Sequence, residues 1–243
     1  MIEVTRSGRV AAIALHRPEK RNALNAELCR ALVQAIDEAD ADAEVGSILL
    51  RGHGAAFCAG MDLREAVETG SGELAGIHER LFTTIVRVRK PIVAAVHGAA
   101  LAGGTGLAAN AHVVVAAADA RFGLTEIRIG LWPVLVFRAC ALAMGERRAT
   151  ELSITGRVIT AAEAQNYGLV TEVAEDPLAR AREIAATVSA YSTFALRTGL
   201  DYVQRIRGLG WSEAGAIGRE AREQLMGHAD FAAGVQAFLG KNL

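Results

Sequence analysis

The pattern of hydrophobic and polar residues predicts a core of mixed strands and helices, followed by a helical tail. Apolar runs typical of strands stand at 2–5, 9–15, 45–50, 92–96, 112–117 and 169–174. Apolar residues recur at helical spacing at 26–42, 77–89, 134–144, 146–153, 161–166, 177–190, 194–207, 212–226 and 229–239. Residues 55–76 are small or polar and predict a loop. The order indicates an α/β core with helices after it.

Composition narrows the class of protein. The 243 residues are 51% apolar and 22% charged, which is enough to bury a substantial core, and the net charge is −1. Neither the charge nor any Lys/Arg block indicates nucleic-acid binding. The longest apolar stretch, 92–118, is broken by glycines and polar residues, so we expect buried elements and no membrane span. The three scattered cysteines form no CxxC pair, and the first residues lack the apolar core of a signal, so we expect a cytoplasmic protein.

Two glycine- and alanine-rich segments each come after a predicted buried strand. They are residues 56–63, AFCAGMDL, and residues 97–106, HGAALAGGTG. Small residues allow a ligand to approach the backbone, and the second segment opens a helix whose first N–H groups are free. Together the segments could bind a developing oxyanion. The alternative is that the glycines only permit tight turns and close packing.

Other kinds of site find little support in the sequence. Residues 104–109, GTGLAA, match the dinucleotide-binding pattern G-x-G-x-x-A, but the preceding strand ends too early and the following helix is too short. No spacing of His, Cys and Asp predicts a metal site. Cys58 has no histidine near it in sequence, so we expect it to pack in the interior and not to act as a nucleophile.

Four segments in order along the chain carry a resemblance to a known family. They are AFCAGMDL, KPIVAAVHGAALAGGTGLA, ARFGLTEIRIGLWP and GERRATELSITGRVITAAEAQNYGLVTEV. They resemble the conserved segments of the enoyl-CoA hydratase/isomerase family, also called the crotonase family. The start, LHRPEKRNALN, and the end, HADFAAGVQAFLGK, fit as well.

The resemblance implies a fold and a ligand. The fold is a crotonase-like spiral of strand–strand–helix units, here residues 1–190, with a C-terminal helical trimerisation region at 191–243. Members of the family assemble as trimers or as pairs of trimers. The substrate is an acyl-CoA thioester, so coenzyme A is part of the substrate and no separate cofactor or metal is expected.

The resemblance also assigns roles to individual residues. In the family, the residue after A-G in the first motif and the middle glycine of the G-G-G run donate backbone N–H groups to the thioester oxygen. Here these are Met61 and Gly103, and Ala102 replaces the first glycine. Coenzyme A contacts are implied at Lys20, Arg21, Ala23, Ala59, Met61, Asp62, Leu63 and Gly103. For the two cations, a solvated loop is an equal alternative.

The acid–base residues depart from the family's hydratases, which carry two glutamates. The first position is Gly106 here, and the second is Glu126, preceded by Thr125 instead of proline. One glutamate suffices to move a double bond, as in the family's isomerases, so we expect an isomerase-like enzyme with Glu126 as the catalytic group. Alternatives are a hydratase that uses Glu126 with an unidentified partner, a weakly active acyl-CoA-binding protein, or a Glu126 that only caps a helix or pairs with an arginine.

Further side chains near the expected acyl pocket bear on the reaction. His78 and Glu79 are adjacent on a predicted helix, and side chains about 100° apart cannot both face inward. Val134 stands where the family's dehalogenases and dienoyl-CoA isomerases have an aspartate, which argues against both activities.

Overall fold

The computed structural model describes residues 1–69 and 72–240, without the side chains of residues 69, 72 and 73. The strands are β1 (Ile2–Ser7), β2 (Val10–Leu15), β3 (Ser47–Gly52), β4 (Ile92–Val96), β5 (Ala99–Leu101), β6 (Val113–Ala117), β7 (Arg121–Gly123), β8 (Ile159–Thr160) and β9 (Glu172–Ala174). The helices are α1 (Ala26–Ala41), α2 (Leu63–Thr69), α3 (Gly72–Phe82), α4 (Thr84–Arg87), α5 (Gly103–Ala109), α6 (Phe137–Met144), α7 (Glu146–Thr155), α8 (Ala161–Asn166), α9 (Pro177–Ser189), α10 (Thr193–Arg205), α11 (Trp211–Gly227) and α12 (Ala229–Gly240).

The strands form a large sheet and a small one. The large sheet has the order β1-β2-β3-β4-β6-β9, antiparallel between β1 and β2 and parallel from β2 onward. The small sheet has the order β5-β7-β8. The central strand β4 is buried along its whole length, as expected for a parallel strand covered on both faces.

The chain passes repeatedly from the large sheet to the small sheet and then into a helix. β4 leads to β5 and α5, and β6 leads to β7 and then to the segment before α6. The preceding turn follows the same path, because Cys58, after β3, forms a parallel bridge with Ala100 of β5. The structure therefore has the strand–strand–helix units that the sequence comparison implied.

Apolar residues of the large sheet are buried on both faces. On one face, α1 contributes Leu28, Leu32 and Ile36 to the main core. On the other, Ala181 and Ala185 of α9 pack against apolar side chains of β3, β4 and β6, among them Leu49, Val93 and Val115. Small side chains on α9 allow it to lie close to the sheet.

The prediction of a loop over 55–76 and a helix over 77–89 is wrong in its boundaries. The backbone is irregular only to Asp62, whose Oδ1 accepts a hydrogen bond from the Arg64 N–H at the start of α2. α3 then extends to Phe82, and a break at Thr83 separates it from α4. The hydroxyl of Thr83 donates to the Glu79 carbonyl, and side-chain bonds of this type weaken a helix locally.

Helices α10 to α12 follow the sheet-covering helix α9. Among their residues only Ala221 is buried. α10 touches the rest of the protein through polar contacts, including a 2.9 Å hydrogen bond from Gln204 Nε2 to the Ile85 carbonyl. The division into 1–190 and 191–243 stays a prediction, and residues 241–243 lie outside the described part. None of the described helices is both long enough and apolar enough to cross a membrane.

Candidate active site

The backbone around Met61 is fixed by a parallel bridge to Leu24. The Leu24 N–H donates to the Gly60 carbonyl at 2.7 Å, and the Asp62 N–H donates to the Leu24 carbonyl at 2.9 Å. These two bonds bracket Met61, so its own N–H points away from Leu24. Within the described residues no acceptor for the Met61 N–H is found. The group is therefore free to bind a ligand.

Gly103 begins α5 directly after a sharp change in chain direction at Ala102. The Ala102 N–H donates to the Gly123 carbonyl at 2.8 Å, and Ala102 has φ +50° and ψ −117°. As the first residue of the helix, Gly103 has an N–H with no partner in the preceding turn. Its side of α5 faces the Gly60–Met61 segment.

The two segments approach each other more closely than larger residues would allow. A Cβ added to Gly60 would lie 2.9 Å from the Ala102 Cβ and 3.5 Å from the Gly103 nitrogen. A Cβ added to Gly103 would lie 3.7 Å from the Gly60 Cα. Glycines at both positions therefore place the Met61 and Gly103 backbones side by side.

Met61, Gly103 and Glu126 line one cavity of about 400 Å³. Its walls are mainly apolar and include Leu24, Phe82, Leu131, Trp132, Leu135 and Val136. Val134, which stands where the family's dehalogenases and dienoyl-CoA isomerases have an aspartate, lines the same cavity. The three residues assigned to catalysis from sequence are thus brought together, although 65 positions separate Met61 from Glu126 in the chain.

Glu126 opens a short 3-10 helix, Glu126–Ile129, after β7. Its side chain is half-buried, and within the described residues its Oε2 atom is buried without a hydrogen-bond partner. Burial raises the pKa of this carboxyl above its ordinary value. The alternative of pairing with Arg121 or Arg128 finds no support among the described residues, where Glu126 Oε2 has no partner and Arg121 donates to the carbonyls of Asp119 and Ala120.

Apolar packing fills the place of the family's first glutamate. A Cβ added to Gly106 would lie 2.4 Å from Val136 Cγ1 and 3.2 Å from Phe82 Cε1. Both side chains are buried. A carboxylate at position 106 has no room unless these neighbours move.

Of the adjacent pair on α3, His78 faces the cavity and Glu79 faces solvent. His78 is 6% exposed, lines the cavity and has a buried Nε2 atom without a partner among the described residues. Burial lowers the pKa of His78, so its imidazole is neutral near pH 7. The sequence predicted that at most one of the two would face inward, and the structure selects His78.

The residues assigned to coenzyme A lie in two neighbouring segments. Lys20 and Arg21 are exposed in a loop after β2, where the Arg21 carbonyl accepts from the Ala59 N–H at 2.9 Å. Ala23 is half-buried, and its carbonyl accepts from Arg17 at 3.0 Å. Leu63 is 47% exposed, and both Leu63 and Ala59 line the cavity.

Two residues that the sequence did not single out hold these segments together. Arg17 donates to Asp62 Oδ2 at 2.6 Å, and this pairing lowers the pKa of Asp62. Asn22 is fully buried, and its Nδ2 donates to the carbonyls of Ala56 and Phe57 at 2.8 and 3.1 Å. Asn22 also has φ +55°, a conformation that asparagine tolerates better than most residues. The presence of an asparagine at this position was the one feature of the sequence that could have indicated a turn here.

Cys58 is fully buried, and burial raises the pKa of its thiol to about 12. Such a thiol is a poor nucleophile, in line with the expected packing role. Elsewhere, Glu3, His16 and His53 place possible ligand atoms within 4.8 Å of one another. The Arg51 guanidinium lies 3.2 Å from His53 Nε2, so a hydrogen-bonded ion-pair cluster accounts for this arrangement.

Comparison with known proteins agrees with the geometry. The family model described as enoyl-CoA hydratase/isomerase matches residues 5–242. The chain belongs to the enoyl-CoA hydratase/isomerase family. The protein is therefore an acyl-CoA enzyme of this family. The dinucleotide-binding alternative is excluded, because α5, with seven residues, is also too short for the helix of such a site.

Relatives and solved structures match over almost their whole length. An enoyl-CoA hydratase of Mycobacterium tuberculosis is 34% identical, covering 98% of this chain and 93% of the relative. The 2,3-dehydroadipyl-CoA hydratase of Escherichia coli K12 is 32% identical, covering 98% and 95%. The crystal structure of an enoyl-CoA hydratase of Mycobacterium smegmatis superposes with a TM-score of 0.93 at 31% identity, covering 99% and 96%. The predicted crotonase-like fold is therefore confirmed.

Proposed function

We propose that the protein shifts the double bond of a 3-enoyl-CoA into conjugation with the thioester, with Glu126 as its acid–base group. One observation carries the proposal. Glu126 shares an apolar cavity with the Met61 and Gly103 backbones, while Val136 and Phe82 fill the place of a second glutamate. An isomerisation needs a single group that carries one proton, whereas hydration must also orient and deprotonate water.

The reaction is a proton shuttle with no net change in atoms. The Glu126 carboxylate takes a proton from the α-carbon, and the electron pair of that C–H bond delocalises onto the thioester oxygen. The Met61 and Gly103 N–H groups bind the resulting oxyanion. When the enolate collapses, the γ-carbon takes the proton back from Glu126, and the double bond lies between the α- and β-carbons.

Two physical terms would lower the barrier. Removing one preorganised N–H donor from an oxyanion site typically costs about 3–4 kcal/mol of transition-state stabilisation. A positioned acid–base group contributes about 10²–10⁴-fold. The apolar walls raise the pKa of Glu126 and so make its carboxylate a stronger base for a carbon acid.

Coenzyme A would lie along the two segments that Arg17 and Asn22 hold together. In this proposal the backbones of Asp62 and Leu63 line the adenine pocket, and Ala59 and Met61 contact other parts of the ligand. Lys20 and Arg21, beside Ala23, face the phosphates from the exposed loop. Their exposure supports such a role, because a phosphate reached from solvent needs no buried cation.

Hydration is the second candidate, and the names of the relatives favour it. The Mycobacterium and Escherichia relatives are both named hydratases. A hydratase of this sequence would need a partner for Glu126 from outside position 106. A weakly active acyl-CoA-binding protein is the third candidate, since one family carboxylate is missing.

An absorbance assay at the enoyl-thioester band separates the three. We expect the absorbance to rise when a 3-enoyl-CoA is added. In Glu126→Gln the rate of this rise should be about 10²–10⁴-fold lower. Glu79→Gln, a solvent-facing carboxylate on α3, is the matched control and should keep full activity. Loss of signal from crotonyl-CoA in water would indicate hydration instead. Heat stabilisation by CoA esters without turnover would indicate a binding protein, and full activity of Glu126→Gln would refute the mechanism.

Assembly as a trimer or a pair of trimers is also proposed. Large apolar side chains on α11 and α12 are exposed in the single chain, with Trp211 94% and Leu239 58% exposed. Patches of this kind often mark subunit contacts. Light scattering coupled to size exclusion should give a mass of three or six chains. The cytoplasmic location stays a prediction from sequence.

A further inference from the structure

His78 is a buried polar side chain that the proposed proton shuttle leaves without a task. It is 6% exposed on α3, and within the described residues its Nε2 atom has no hydrogen-bond partner. A neutral imidazole carries one N–H donor and one nitrogen acceptor, so Nε2 can bond in one role or the other. A buried polar atom without a partner loses the hydrogen bond it would make to water.

The position of His78 relative to the oxyanion site follows from Phe82. Phe82 Cζ lies 3.2 Å from where a Cβ of Gly103 would stand, so the Phe82 ring borders the oxyanion wall. The rings of His78 and Phe82 have centroids 5.8 Å apart. His78 is thus about one helical turn from the wall at which the thioester oxygen would bind. It lines the same cavity as Met61, Gly103 and Glu126.

The surroundings of His78 offer little that could pair with it. In the part of the cavity that the structure describes, the lining side chains with polar atoms besides His78 are Thr125, Glu126, Arg128 and Trp132, and none of them hydrogen-bonds Nε2. Arg128 is exposed and can only donate hydrogen bonds, and Glu126 is taken up by the reaction. A wholly hydrocarbon acyl chain would enclose Nε2 without a partner.

We propose that His78 selects acyl-CoA substrates that carry a hydroxyl or carbonyl oxygen on the acyl chain beyond the reacting carbons, and that Nε2 hydrogen-bonds this oxygen. The inference rests on the proposed function, since it assumes that the acyl group enters this cavity. A hydroxyl can pair with Nε2 in either tautomer of the ring, and a carbonyl only with the tautomer that has the N–H on Nε2. His78 is then a specificity-determining residue and takes no proton from the substrate.

Binding of unreactive saturated esters tests the inference without requiring turnover. The probes are hexanoyl-CoA and its 5- and 6-hydroxy derivatives, whose hydroxyl lies beyond the γ-carbon, titrated calorimetrically into the protein. We expect the protein to bind at least one hydroxylated ester about 10- to 100-fold more tightly than hexanoyl-CoA. His78→Phe should remove this preference, and His78→Gln, which keeps a donor and an acceptor, should retain part of it. Glu79→Gln, the solvent-facing neighbour, should leave it unchanged.

Kinetics with matched 3-enoyl-CoAs, with and without the preferred hydroxyl, complete the test. For the hydroxylated substrate His78→Phe should raise KM and leave kcat near its original value. A fall in kcat on both substrates with the preference intact would make His78 an acid–base group and overturn the proposal. Equal binding of all three esters would overturn it too, because a water molecule would then satisfy Nε2. If no substrate turned over but the binding preference held, the proposed isomerisation would fail and the role of His78 would stand.

Discussion

Gly106 and Val136 pack so closely that residue 106 has room for the hydrogen of a glycine but not for a Cβ atom. A Cβ on Gly106 would lie 2.4 Å from Val136 Cγ1 and 2.7 Å from Val136 Cβ. Gly106 belongs to α5 and Val136 caps the start of α6, so the contact joins the helix of the oxyanion site to the cavity wall. The space that a glutamate side chain would need at position 106 is therefore filled by well-packed apolar side chains and is not an empty cavity. A substrate that needs only one carboxylate fits this arrangement.

The first prediction concerns this contact. Gly106→Ala should lower the free energy of unfolding by about 1–3 kcal/mol, because overpacking outweighs the gain in helix propensity. Val136→Ala alone should also destabilise, but the double variant should be more stable than the sum of the two changes implies. Urea denaturation of the four proteins measures the coupling.

Gly76→Ala is the matched control for Gly106→Ala. Gly76 lies in α3, and a Cβ there would meet nothing within 4 Å. It should therefore stabilise the protein by about 0.5–1 kcal/mol. Additive effects of Gly106→Ala and Val136→Ala would show that the two positions do not contact each other as described.

The second prediction concerns the strained corner at Ala102. Its φ of +50° with ψ of −117° is a region that glycine adopts readily and alanine does not. Ala102→Gly should stabilise the protein by about 1 kcal/mol, since relief of strain exceeds the added entropy of the unfolded chain. Activity should be kept, because the Gly103 N–H does not move. Thermal unfolding and turnover are the measurements.

Ala100→Gly provides the opposite expectation two residues earlier. Ala100 is buried in β5 and does not have a positive φ angle. Ala100→Gly should therefore destabilise the folded protein by about 0.5–1 kcal/mol. If Ala102→Gly destabilised to the same extent, the backbone at Ala102 would not be strained.

Much of the oxyanion site could be predicted from sequence because it is local. Met61 and Gly103 belong to short segments of small residues, and their role depends on backbone direction over three or four positions. The choice between His78 and Glu79 could not be made in this way. Periodicity gives the angle between two side chains but not which one faces the core. That depends on where α3 begins and on how it packs against α1, which are properties of the whole fold.

The role of Asn22 depends on contacts even further apart in sequence. Its Nδ2 bonds carbonyls at Ala56 and Phe57, more than thirty residues away. No local pattern specifies those acceptors. Similarly, the sequence shows only that Ala102 replaces a glycine of the family's motif, and it is the backbone angle that reveals strain there.

The third prediction follows from the raised pKa of Glu126. Burial favours the protonated carboxyl in the folded protein, so the contribution of Glu126 to stability is fully present below the unfolded value of 4.5 and is lost as pH rises through the folded pKa. Glu126→Gln, which stays neutral, should therefore have a higher Tm than the original protein at pH 8. The difference should shrink as the pH falls toward 4.5. Thermal melts across this range provide the measurement.

Glu79→Gln again supplies the control for Glu126→Gln. The Glu79 carboxylate faces solvent, so the Tm difference between Glu79→Gln and the original protein should be the same at every pH. A Glu126→Gln variant that was less stable at pH 8 would mean that the folded protein stabilises the Glu126 anion, contrary to the buried and unpaired Oε2 atom.

The last prediction tests the ion pair between Arg17 and Asp62, which fixes the segment after the Met61 backbone. Both side chains are 14% exposed, and Arg17 holds the pKa of Asp62 below its ordinary value of 3.8. The stabilisation is therefore present above pH 3.8 and is lost as pH falls through the folded pKa. Asp62→Asn should reduce the free energy of unfolding by about 1.5–3 kcal/mol at pH 7, with the two proteins converging in acid. Glu220→Gln breaks an exposed pair with Arg205 and should cost less than about 1 kcal/mol. Equal losses in both variants, measured by urea denaturation, would show that the Arg17–Asp62 pair behaves as a solvated surface pair and does not fix the segment.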